Sequence, residues 1–226
     1  MKIGVLISGR GSNFRAIHRA TLANDFPAEI ALLISNRPSV EGISYAQDND
    51  IPFQVIDHTA YSSAEDHEEA LTEALQNARV DLVCLAGYMR VLHNAFTTQW
   101  RGKLINIHPS LLPSFRGLDT HERALERGCR IHGCTVHYVT AELDGGPIIA
   151  QEAVPVLPGD DAETLSSRVL AAEHEIYPHA IRLIAEGKIR WGGDEPVRDR
   201  DITAHDVVRF RAAELPTIEA EDGPKA

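Results

Sequence analysis

"KIGVLISGRGSNFRAIHRATLAND", residues 2–25, runs from an apolar stretch of strand length through a glycine-rich turn into apolar residues at helical spacing. That order opens a strand–helix–strand unit. Four more strand-length apolar runs follow: "EIALLIS" (29–35), "FQVID" (53–57), "DLVCLA" (81–86) and "KLINIH" (103–108). Helix-like segments such as "SAEDHEEALTEALQNAR" lie between them. The alternation predicts an α/β fold, a mostly parallel twisted sheet with helices on both faces and ligands at the carboxyl ends of its strands.

From about residue 130 the pattern changes. "IHGCTVHYVT" and "PIIAQEAVPV", joined by "AELDGGP", predict two strands in a hairpin-like later portion. "DAETLSSRVLAAEHEIYPHAIRLIAEG" predicts a long helix with Asp160 or Asp161 as N-cap and Gly187 as C-cap, kinked or divided at Pro178. After "KIRW" the chain is charged without a sustained period, and its last ten or so residues are expected to be mobile.

The 226 residues are 43% hydrophobic, enough for a substantial core and most simply one domain. A net charge of −11 argues against a general nucleic-acid binder, which needs a basic face. The apolar run before Gly9 is too short for a signal-peptide core or a bilayer span, so we expect a cytoplasmic chain without membrane contact. Cys84, Cys129 and Cys134 form no C-x-x-C pair and are expected as reduced thiols.

The turn "SGRGSNF" (8–14) admits two uses. Backbone N–H groups and the positive end of the helix dipole suit a phosphate. Alternatively it is a tight turn with Ser12 or Asn13 capping the helix. A nicotinamide site is disfavoured, because Phe14 stands where the dinucleotide fingerprint has its third glycine and Ser35-Asn36 end the second strand without an acid. No Walker A or G-x-S-x-G sequence occurs.

In "INIHPSLLP" (105–113) the strand period of two puts Asn106 and His108 on one face, and Pro109 ends the ladder there. An amide donor beside an imidazolium can stabilise an oxyanion; a lone histidine can equally serve only to bond the next loop. Asp144 in "ELDGGPI" either makes an Asx turn or brings a carboxylate to His108. "HGCTVH" invites a metal, but a strand turns His137 away from His132 and Cys134, so no metal site is expected.

Five segments together resemble one family: "VLISGRGSN", "LAGYMRVL" (85–92), "INIHPSLLPSFRG" (105–117), "GCTVHYVTAELDGGPII" (133–149) and "AAEHEIYP" (171–178). They are similar, in order from Lys2 to about Trp191, to the phosphoribosylglycinamide formyltransferases, which are folate-dependent. The resemblance implies a Rossmann-like formyltransferase fold with one domain over 1–192. Residues 1–100 form its nucleotide-phosphate-binding half and 101–192 its catalytic and folate-binding half; 193–226 are a charged, partly mobile tail. It implies transfer of the formyl group of 10-formyltetrahydrofolate to the amine of glycinamide ribonucleotide (GAR), through a tetrahedral oxyanion, in purine biosynthesis.

The implied catalytic set is Asn106, His108 and Asp144. Gly11, Ser12, Asn13 and Glu173 are implied for GAR. Met89, Arg90, Val91, Leu92, Asn106 and the stretch Thr140, Ala141, Glu142, Leu143 and Asp144 are implied for folate. The partners are small molecules, with no metal or nicotinamide and no nucleic acid, and the chain is a monomer or homodimer. Ala64 and Leu170 stand where some relatives carry a basic and a polar residue, which puts those side-chain contacts in doubt. The alternatives are a 10-formyltetrahydrofolate hydrolase, or a tRNA-directed formyltransferase; the added domains that mark them are not expected here.

Overall fold

The structure, a computed structural model, describes residues 1–211. In chain order the elements are β1 (Lys2–Ile7), α1 (Ser12–Thr21), β2 (Glu29–Ser35), α2 (Glu41–Asp48), β3 (Phe53–Val55), α3 (Ala64–Asn77), β4 (Leu82–Leu85), α4 (Asn94–Gln99) and β5 (Leu104–His108). Then come α5 (Thr120–Glu126), β6 (Ile131–Tyr138), β7 (Ile148–Pro155), α6 (Ala162–Ala185), β8 (Ile189–Arg190), β9 (Val197–Arg198), α7 (Ala204–Val207) and β10 (Val208–Phe210).

Eight strands make one sheet in the order β10-β7-β6-β5-β4-β1-β2-β3. All neighbours are parallel except that β6 runs against β5 and β7, so the α/β fold and the later hairpin are both present. β1 leads outward to β2, whereas β4 leads the other way to β5. Their carboxyl ends therefore flank a switch point, the place where ligands bind in open sheets of this kind. Alternation along β1 builds the two layers. Ile3, Val5 and Ile7 join Phe14, Ile17, Val169 and Ile176 on one face, while Leu6 joins Leu71, Leu75 and Phe96 on the other.

Four expectations need correction. The residue capping α1 is Gly11, left-handed at φ 69, with no side-chain cap; Ser12 is already helical. A Cβ at Gly11 would stand 3.3 Å from the Gly42 Cα and in a conformation costly for other residues, which explains the glycine. Asp161 caps α6 as expected, by accepting from the Thr164 N–H, but Pro178 does not divide the helix. An interior proline costs about 3 kcal/mol. Full burial of Ile176, Tyr177 and Ile181 around it returns roughly 1.5–3 kcal/mol for each side chain, so the helix continues. At the other end the C-cap is Glu186, and Gly187 lies one residue beyond it at φ 72.

The fourth concerns the tail, where residues 197–210 are structured. β9 pairs with β8, and β10 adds a parallel strand to β7. Arg211 holds it there by pairing with the buried Glu152 and with Glu175 of α6. The expected mobility of the last ten or so residues lies outside the described residues. Cys84, Cys129 and Cys134 are free thiols. Among the described residues no helix is long and apolar enough to cross a membrane.

Candidate active site

The loops after β1 and β4 are tied together at the switch point. Ser8 N–H donates to the Gly87 carbonyl (3.1 Å), and Met89 N–H donates to Ser8 Oγ (2.8 Å). This sets the Gly11–Asn13 turn beside the 89–92 stretch. With no side chain capping its first turn, α1 leaves N–H groups and the positive end of its dipole open. Asn13 Nδ2 donates to Glu173 Oε2 of α6 at 2.6 Å, and Asn13 Oδ1 is buried without a partner. Leu170, one turn before Glu173 on α6, is half-buried, and Ala64 opens α3.

Burial pushes the Glu173 carboxyl up to about 7, against the opposing hydrogen bond from Asn13. A carboxyl held above its ordinary value favours the folded state most when protonated, so its contribution is complete below pH 4.5 and is lost as pH rises through about 7. Glu173→Gln removes that loss. The melting temperature of the variant should therefore gain on wild type between about pH 5 and pH 8. Parallel melting curves against pH would contradict the assignment.

The second cluster sits on one face of β5, β6 and β7. Asn106 pairs with His137 across the ladder, and His108 pairs with Thr135, which in turn faces Gln151. Ile105, Ile107, Cys134 and Val136 fill the core behind them. The 139–147 connection folds back over this face, so that Asp144, left-handed at φ 47, reaches both histidines. Its Oδ2 lies 3.5 Å from His108 Nδ1 and its Oδ1 3.7 Å from His137 Nε2. Gly117 N–H donates to Asp144 Oδ2 at 2.9 Å, so the carboxylate serves a different loop and not an Asx turn of its own.

Hydrogen-bond partners fix the two rings. His108 Nε2 donates to the Phe115 carbonyl at 3.0 Å; a carbonyl only accepts, so that nitrogen carries hydrogen and Nδ1 is the one turned to Asp144. His137 Nδ1 donates to the Tyr138 carbonyl at 3.0 Å. Burial pushes the His137 ring down to about 4, which outweighs the opposing pull of that carbonyl and of Asp144. Burial thus favours the neutral ring beside Asp144. Its Nε2 lone pair instead accepts from Asn106 Nδ2 at 3.3 Å, which sets the amide's orientation.

The structure thus brings together Asn106, His108 and Asp144, and separately Asn13 with Glu173. Met89, Val91 and Leu143 are exposed apolar side chains, while Leu92 packs partly into the core. Ala141 is exposed, Arg90 and Thr140 are half-exposed, and Glu142 is paired with Arg116. His137 and Thr135 were missed, although the period of two in "TVH" places them on one face. Among the described residues no group of three or more His, Cys, Asp or Glu side chains could hold a metal ion.

The "Formyl transferase" family model matches residues 1–181. The trifunctional purine biosynthetic protein adenosine-3 of Gallus gallus is 48% identical over 192 residues, 85% of this chain, but the chain spans only 19% of that protein's length. The phosphoribosylglycinamide formyltransferase of Haemophilus influenzae is 43% identical, covering 84% of this chain and 89% of that protein. A crystal structure of phosphoribosylglycinamide formyltransferase from Anaplasma phagocytophilum superposes with a TM-score of 0.86 at 44% identity, over 94% of this chain and 98% of that one. The family match runs through both clusters and the sheet that carries them: the chain belongs to the formyl transferase family.

Proposed function

We propose that the chain transfers the formyl group of 10-formyltetrahydrofolate to the amine of GAR. The observation that carries this is the meeting of Asn106, His108 and Asp144 on one polar sheet face, 3.5 Å separating the imidazole from the carboxylate. Attack of a neutral amine on a formyl carbon builds negative charge on oxygen and releases a proton. Asn106, its amide oriented by His137, and protonated His108 stabilise that oxygen. Asp144 keeps a negative charge beside the imidazolium and helps order the water that relays the proton from the attacking amine to the leaving nitrogen. The folate supplies the activated formyl group and takes no residue of the chain as a covalent partner.

Binding divides between the two clusters. The uncapped first turn of α1, from Gly11 through Ser12 to Asn13, receives the ribonucleotide phosphate. Glu173 contacts the ribose, with Asn13 between them. The backbone of Met89 to Leu92 and of Thr140 to Leu143 walls the pteridine, with Met89, Val91 and Leu143 as its apolar contacts. Small molecules are the partners, and residues 1–192 work as one domain.

The purified chain, given GAR and 10-formyltetrahydrofolate without added metal, should form formyl-GAR. Tetrahydrofolate should appear only when GAR is present. Formate release at the same speed without GAR would favour the hydrolase instead.

A further inference from the structure

His108 and Asp144 each make one hydrogen bond with the same loop. The Phe115 carbonyl accepts from His108 Nε2 at 3.0 Å, and Gly117 N–H donates to Asp144 at 2.9 Å. Those two backbone groups must be held, since Phe115 sits at φ 54, a left-handed conformation that a bulky side chain adopts only when its surroundings enforce it.

The enforcement comes from two strands away. Thr135 Oγ1 donates to the Ser110 carbonyl (2.6 Å) and accepts from Leu112 N–H (3.0 Å) and from Gln151 Nε2 (3.0 Å), so both lone pairs and its hydrogen are used. Gln151 Nε2 gives its other hydrogen to the Leu112 carbonyl at 2.9 Å. Three backbone groups of residues 110–112 are thereby fastened to β6 and β7. Ser110, fully buried, passes the constraint on: its Oγ donates at 2.7 Å to the carbonyl of Ser114, the residue before Phe115.

We propose that Gln151 is a positioning residue for the formyl transfer: through Thr135 and the 110–117 loop it holds the Phe115 carbonyl on His108 Nε2 and so keeps the imidazole in one orientation. The proposal rests on the assignment of His108 to the reaction. Gln151 is 39 residues from Leu112 and touches none of Asn106, His108 or Asp144 among its hydrogen-bond partners. An apolar residue at that strand position would serve packing equally well. What Gln151 supplies is two N–H donors aimed at the loop.

Gln151→Met keeps the length and removes both donors. Misplacing a reacting group by about 1 Å can cost on the order of a hundredfold, so we expect kcat to fall by about ten- to a hundredfold, with KM for GAR within about twofold. In protein labelled with ¹⁵N-histidine, the His108 Nε2–H proton signal should broaden or exchange away. Thr135→Val should behave like Gln151→Met, Thr135→Ser should retain kcat and the signal, and the double variant Thr135→Val/Gln151→Met should lose little more than either alone. The NMR signal is read without turnover, so it separates failure here from failure of the proposed reaction. Wild-type kcat and an intact His108 signal in Gln151→Met would overturn the proposal. So would additive losses in the double variant, or a loss in Thr135→Ser equal to that in Thr135→Val.

Discussion

Asp144→Asn should lower kcat for formyl transfer by about a thousandfold while the affinity for GAR stays within about threefold; a positioned acid–base group typically supplies 10²–10⁴. The substitution keeps shape and most of the local bonding, because an amide oxygen can still accept from Gly117 N–H, 2.9 Å away in the parent. What disappears is the negative charge 3.5 Å from His108 Nδ1. An amide carries no charge to stabilise the imidazolium or to orient the relaying water. The GAR contacts proposed at Gly11–Asn13 and Glu173 lie on α1 and α6, outside this change. Steady-state kinetics with each substrate varied, together with calorimetric binding of GAR, measure the two effects separately. Equal losses in both would contradict the role given to Asp144.

Gly146→Ala should damage stability and turnover together. A Cβ at Gly146 would stand 1.8 Å from the Tyr138 carbonyl oxygen and 2.9 Å from its carbon, both backbone atoms of β6. Nothing there can rotate away, so the two ends of the 139–147 connection must part. Overpacking of this kind costs typically 1–3 kcal/mol, and each kcal/mol lowers the melting temperature of a chain of this size by roughly 2–4 °C. We therefore expect a fall of about 2–12 °C. Asp144 is two residues away, so kcat should drop by about a hundredfold as the carboxylate leaves His108. Gly145→Ala is the control. Its Cβ meets the side chain of Glu142, an exposed and flexible group that can swing aside. Thermal denaturation and kinetics on both variants decide the matter; a wild-type melting temperature for Gly146→Ala would contradict the close approach of the connection to β6.

Much of the fold was legible because strands buried on both faces read as continuous apolar runs. β1 and β2 fall at the expected residues, and β3 to β7 differ from the expected runs only at their ends. Asn106 and His108 were legible as a pair because the strand period acts within five residues. Their meeting with Asp144 was not, since it depends on a connection folding back through left-handed backbone, which neighbouring residues do not dictate. The resemblance, not the spacing, named that partner. The Ser12 cap failed for a related reason: serine is a good N-cap in general, but the approach of Gly42 to Gly11 shifts the helix start by one residue. β10 was missed because its three residues become a strand only against the edge of β7, with Arg211 reaching the buried Glu152. Backbone groups such as the Phe115 carbonyl carry no side-chain signature at all.

The same three-residue strand stands between the sheet and other copies of the chain. β7 is longer and more apolar than β10, and without its partner the backbone N–H and C=O groups of Gln151 to Ala153 would form an open edge. Open edges recruit strands from neighbouring molecules, whereas a three-residue strand that carries Arg209 and is followed by Arg211 offers them little. Truncation before Ala204 should consequently reveal itself first as precipitation during expression and concentration, and β10 is in that sense a solubility element that the chain carries at its own margin.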